Sequence, residues 1–310
     1  MPIELDFVAD FVDFARKDLV ANGFVEAADR SKLPDDEVGI RYFNVVIRMI
    51  QPRPRKVKFA PKYATTFPKT QSLAVHTLIR KIRAGKDLTP HQTRAITERR
   101  LIRNDKMLND WSIHHLHPTQ NGGDDVLMCH VTDDVLYAIG FWPHKNWVNT
   151  EIVTELVDTW PEEFDKKTVN SSGGSYTQEE LQNLRDKNAM TFFTHPVTKK
   201  VYYLGGGLTT AGTNVSATTE YDRVVYILDG LESRTRRTLE ASGITGDGRL
   251  ILEFRDGFPW RLVTETGEVV PVSFPDGFAS GLPSDEKPFG HRRPPRPLVI
   301  SPMPPEKPKT

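Results

Sequence analysis

Apolar positions recur along the chain with two spacings, and the change from one to the other separates predicted helices from predicted strands. Over 3–21, Leu5, Val8, Phe11, Val12, Ala15 and Leu19 fall on one helical face, and Gly23 is a natural stop. "GIRYFNVVIRMI" (39–50) alternates and is dense in β-branched and aromatic residues, which predicts a strand. "QPRPRKVKFAPKY" then interrupts regular structure with three prolines and five basic residues, as an arm lying on phosphates or a solvated connector. Two helices are predicted next, 73–84 ended by Gly85 and 90–108 capped by Thr89. Strands at 111–117, 125–132 and 135–142 follow, joined by turns at "NGGDD" and "TDD". A helix over 149–164 has Asn149 as its cap and Glu151 where an acid suits the helix dipole.

Beyond the Gly/Ser-rich stretch 170–180 the pattern predicts a short capped helix, then strands at 190–194 and 200–204. A glycine loop, a long helix over 218–242 and a small antiparallel meander over 249–272 come after them. The fold class is α+β: small antiparallel sheets packed with helices, in two globular parts with a disordered C-terminal tail. The expected divisions are an N-terminal helix–strand segment with a basic linker (1–72), a central α-α-β-β-β-α domain (73–169), and a C-terminal α+β domain (176–283). The Pro-rich, aperiodic end (284–310) is read as disordered.

Composition narrows the class. With 26% charged and 38% hydrophobic residues the chain reads as a soluble globular protein, and no apolar run is long enough to span a bilayer. Acids inside the first apolar stretch argue against a signal peptide, and one cysteine, Cys129, leaves no intrachain disulfide. The expectation is a cytoplasmic protein with no membrane partner. Charge is unevenly placed: 41–110 holds 17 lysines and arginines against four acids, whereas 111–170 holds three lysines against ten acids. A block this basic suggests a polyanion partner, RNA above all, or else a solvated face opposite its acidic neighbour.

Five of the nine histidines fall between 114 and 144. Strand alternation puts His115 and His117 on one face and His114 on the other, with His130 on the neighbouring strand. Imidazoles that titrate near neutrality can serve as general base and acid, so His115, His117 and His130 are the candidate catalytic groups for metal-free RNA cleavage through 2′-hydroxyl attack, with no cofactor. Arg94, Arg99, Arg100, Arg103, His144 and Lys145 are candidate phosphate contacts. The plain alternative is a strand whose histidines bond to backbone and to nearby aspartates, in a protein that only binds. A metal alternative uses His115, His117 and His130 as ligands; "HHLHP…NGGDDVLMCH" resembles the HNH-endonuclease pattern but lacks its asparagine and any CxxC pair.

"VYYLGGGLTTAGTN" offers a backbone nest for an anion at Gly205, Gly206 and Gly207, with Thr209 and Thr210 as further donors, though neither nucleotide motif is present. A tight turn explains it equally well. Cys129, without a partner cysteine, reads as a buried apolar residue.

The order α-α-β-β-β-α over 73–165, with "WSIHHLHP", "DVLMCHVTDD" and "VLYAIGFWPHKNW" as its sheet, resembles the core of RelE-type ribonuclease toxins of the barnase-like fold group. The resemblance implies a small catalytic sheet, a ribonuclease of toxin or defence type, and an antitoxin or immunity protein as partner. It is topological and covers about a third of the chain; fold analogy by itself carries no chemistry.

Overall fold

The structure, a computed structural model, describes residues 3–28, 34–92, 96, 105–119, 125–144, 148–171, 174, 176–187, 189, 191–209, 212–244, 246, 248–255 and 258–270. The first part holds β1 (Glu4–Leu5), α1 (Phe7–Ala21), α2 (Asp35–Arg48), β2 (Lys56–Phe59), α3 (Pro61–Thr65) and α4 (Ser72–Arg83). The middle holds α5 (Lys106–Trp111), β3 (His114–Leu116), β4 (Asp125–Val131), β5 (Val135–Pro143), α6 (Thr150–Thr159) and α7 (Pro161–Phe164). The last part holds β6 (Thr168–Val169), α8 (Gln178–Asp186), β7 (Phe193–Thr194), β8 (Val201–Tyr202), α9 (Val215–Ala241), β9 (Arg249–Arg255) and β10 (Phe258–Thr264). This is an α+β protein, and among the described residues two of three sheets carry a parallel edge: β1 beside β9, and β2 beside β5. No helix of the described residues is long and apolar enough to cross a membrane.

The expected strand at 39–50 is a helix, α2. Three acids in its first turn favour the positive end of the helix dipole, and Glu37 pairs with Arg41 one turn on at 2.6 Å. Val38, Tyr42 and Val45, at helical spacing, are buried together against α1 and α9. A Cβ on Gly39 would meet the ring of Tyr221 of α9 at 2.1 Å, so the two helices touch where α2 lacks a side chain. Burial of one helical face outweighs the strand preference of the β-branched residues.

The expected helix over 90–108 is also interrupted. Thr89 starts a short 3-10 turn (Thr89–His91), Gln92 is extended, and Asp105 is extended again as the cap of a new helix, α5. α5 continues through Trp111, because Met107, Leu108 and Trp111 bury one helical face, and Ser112 closes it in a left-handed conformation (φ 56°). The strand expected at 111–117 therefore shortens to His114–Leu116. The Pro-rich connector contributes β2 at the edge of the central sheet. Its Arg55 is buried, donating to the carbonyls of Thr132 and Gln51, both at 2.8 Å, and Arg53 pairs with Asp133 at 2.9 Å.

The central sheet runs β2-β5-β4-β3 and is covered on both faces. One face carries Val126, Met128, Tyr137 and Ile139 against α6 and α7; the other carries Leu127, Cys129, Leu136 and Ala138 against α4. Register shifts between Met128 and Cys129. A third core is gathered from the two ends of the chain: α1 and α2 pack with α9, β9 and β10. Residues 121–124 of the "NGGDD" turn and the expected tail lie outside the described residues, and Asp125 opens β4.

Candidate functional site

β3 is held by two neighbours. Pairing with β4 sets His114 opposite Cys129 and His115 opposite Met128. At its end the His117 N–H donates to the His91 carbonyl (2.7 Å), and His91 Nδ1–H returns a bond to the His117 carbonyl (2.8 Å). A carbonyl can only accept, so His91 Nε2 is left to accept from Lys81 Nζ of α4 at 3.0 Å. Burial lowers the pKa of His91.

His115 and His117 share a face, as alternation predicts, with ring centroids 6.0 Å apart. The third ring beside them belongs to His144, in the turn after β5, 5.5 Å from His115 and 5.0 Å from His117. One nitrogen from each ring lies within 4.8 Å of the other two, the spacing of a set of metal ligands. His115 is buried, and the other two lie nearer the surface. Burial pulls the imidazole of His115 below its ordinary pKa, partly opposed by Asp105. That carboxylate has two tasks: Oδ1 accepts from the Leu108 N–H at the start of α5 (3.0 Å), and Oδ2 stands 4.0 Å from His115 Nδ1.

His130 is placed apart from this trio. Its Nδ1–H donates to the carbonyl of left-handed Ser112 at 2.8 Å, and its ring packs on Phe164 (5.1 Å) and Tyr137 (5.9 Å). His130 thus supports the α5–β3 turn. With His114, Arg53 and Asp133 it lines a groove of about 440 Å³ that none of the trio borders. Arg94, Arg99, Arg100, Arg103, Lys145 and Thr210 lie outside the described residues.

The glycine loop is docked onto α5. The Gly205 N–H donates to the Asp110 carbonyl (3.0 Å) and that of Gly207 to the Asn109 carbonyl (2.8 Å). Thr209 bonds across the loop to Thr213, hydroxyl to hydroxyl at 2.7 Å, and Gly206 and Gly207 have positive φ. These amides are committed to the protein's own carbonyls, which makes the loop a clamp on the helix that leads into β3.

The residues beneath the site carry no motif that would single them out. Asp110 binds buried Arg185 of α8 at 2.8 Å and Thr191 at 2.9 Å; Arg185 lies over the Trp111 ring, 3.9 Å from its centroid; Asn109 accepts from Asn214 at 2.7 Å. Their only signal in the sequence is that two polar residues sit directly before Trp111 in an otherwise apolar helix end. Comparison with family models, with curated proteins and with solved structures found no match to this chain.

Proposed function

We propose that the protein processes nucleic acid and cleaves the RNA backbone at the edge of the central sheet where His115, His117 and His144 converge. The observation that carries this reading is that convergence: three imidazoles, two from the end of β3 and one from the turn after β5, one nitrogen of each within 4.8 Å of the others. Imidazole accepts or donates a proton near neutrality and is also the commonest metal ligand, so such a cluster suits activation of an attacking oxygen. In the reaction the 2′-hydroxyl attacks phosphorus and the P–O5′ bond breaks. The site takes the 2′-hydroxyl proton, and the leaving 5′-oxygen is protonated in turn.

Charge supports the choice of substrate. The last turn of α4 and the residues after it present Arg80, Arg83 and Lys86 to solvent, and Lys81 of the same turn is tied to His117 through His91. The order α4, α5, β3, β4, β5, α6 is compatible with the resemblance to RelE-type ribonuclease toxins, and a defence role with an antitoxin or immunity partner belongs to the same proposal.

The test is incubation with end-labelled RNA and DNA, with and without EDTA, for the parent protein and a His115→Ala/His117→Ala double variant. RNA cleavage by the parent and its loss in the folded double variant are expected. Undiminished cleavage by the double variant would refute the site. Salt-sensitive RNA binding without turnover would replace the ribonuclease with a binding module.

A further inference from the structure

We infer that His115, His117 and His144 form a metal centre for a divalent ion of the zinc class, held by three imidazoles with at least one position open. His144 takes the place that sequence reasoning assigned to His130. The inference stands on the arrangement of the rings, and it rests on the ribonuclease reading only for what the ion would do.

Distance is the first argument. A tetrahedral zinc with Zn–N bonds of about 2.0–2.1 Å holds its ligand nitrogens roughly 3.4 Å apart. The three nitrogens already lie within 4.8 Å of one another, so modest rotation of the rings closes the set. Rings with centroids 5.0–6.0 Å apart can turn their nitrogens onto a single ion.

Rigidity is the second. His115 lies in β3 and His117 directly after it, and the register with β4 together with two hydrogen bonds between His117 and His91 fixes both ring origins. His144 follows directly on β5, the strand paired with β4. The Asp105 carboxylate behind His115, anchored by its own cap bond to Leu108, stands where an outer-shell acid orients a ligand imidazole. An all-nitrogen set also chooses among ions: it suits zinc, copper, nickel or cobalt, while magnesium and calcium require oxygen donors.

Three protein ligands with an open position is the pattern of catalytic rather than structural zinc. An ion held there would acidify a bound water toward neutrality, and the resulting hydroxide would be a suitable acceptor for the 2′-hydroxyl proton. With an ion bound, that hydroxide would take the place of the imidazole base expected from the sequence.

The experiment is calorimetric titration of the full chain, stripped with a chelator and dialysed, with Zn²⁺, alongside the visible spectrum of the Co²⁺ form. One ion per chain is expected, with cobalt bands characteristic of a low-coordinate nitrogen site and a rise in Tm on zinc addition. His144→Ala and His117→Ala, near the surface and therefore able to fold, should abolish this binding, and His130→Ala should keep it. Asp105→Asn, which retains the cap acceptor, should weaken it about tenfold. Absence of stoichiometric zinc binding, or binding unchanged in folded His144→Ala, overturns the inference. Zinc binding with no RNA cleavage would uphold the centre while removing the ribonuclease. Chelator-resistant RNA cleavage without zinc binding would do the reverse.

Discussion

The most consequential single residue outside the histidines is Asp110. Its carboxylate is 3% exposed, and burial raises its pKa even though Arg185, itself 1% exposed, pulls it back down. Removing one member of such a pair strands the other charge in the interior, which typically costs about 3–5 kcal/mol. Asp110→Ala is therefore expected to lower the unfolding free energy by that order in urea denaturation, and to loosen the Trp111 ring on which Arg185 lies. A second expectation concerns Cys129, which is fully enclosed and whose thiol pKa burial raises well above its ordinary value. It should resist iodoacetamide in the native protein and react once the chain is unfolded, as read by mass spectrometry. Period-two alternation was enough to pair His115 with His117 and to set His114 apart. It could not bring in His144, whose place beside them depends on where β5 ends relative to β3, a relation between strands that no local pattern encodes. Asp110 was illegible for the same reason, since Arg185 lies far along the chain.

At the scale of elements, the capped and stopped helices were the readable ones. α6 begins at Asn149 and α4 is followed by Gly85, both as their end chemistry predicts. α2 was misread because Val, Ile, Tyr and Phe favour strands in isolation, while its three leading acids and the buried Val38–Tyr42–Val45 face favour a helix once α9 is present to cover it. The glycine loop shows the limit of a motif: the sequence admits both an anion nest and a tight turn, and docking onto α5 commits the amides of Gly205 and Gly207 to carbonyls of the protein. A Cβ on Gly205 would lie 2.3 Å from the carbonyl oxygen of Asn109, a backbone atom with no freedom to yield. Gly205→Ala should therefore cost about 1–3 kcal/mol or more, measured by chemical denaturation, with Gly246→Ala, which meets nothing within 4 Å, as a near-neutral control.

Across the whole molecule, the cores cut across chain order. The central sheet and its two covering layers are built mostly from residues 50–204, whereas Phe7, Phe11 and Tyr42 share a core with Leu228, Leu231 and Leu252. Asp10 joins the two ends directly, accepting from the Leu252 N–H at 2.7 Å and from Arg249 at 2.8 Å. A chain lacking residues 1–22 should lose amide-exchange protection over α9, β9 and β10 and retain it in β4 and β5. The α+β class followed from alternating periodicities, but this closure did not, because apolar faces advertise that they will be covered without saying by what.

That closure also sets a timetable. Leu5 pairs with Leu250 in the β1–β9 ladder, so the first helices emerge from the ribosome long before their C-terminal partners α9, β9 and β10 have been made. At roughly 5–20 residues per second the wait is on the order of 10–50 s. Throughout it α1 and α2, which can already pack on each other through Phe11 and Phe43, leave bare the faces that α9 and β9 will cover, while the sheet bearing the histidines can already assemble. A newborn chain would then have the edge bearing His115, His117 and His144 in place before its ends are joined, and that interval is when chaperones would have to act.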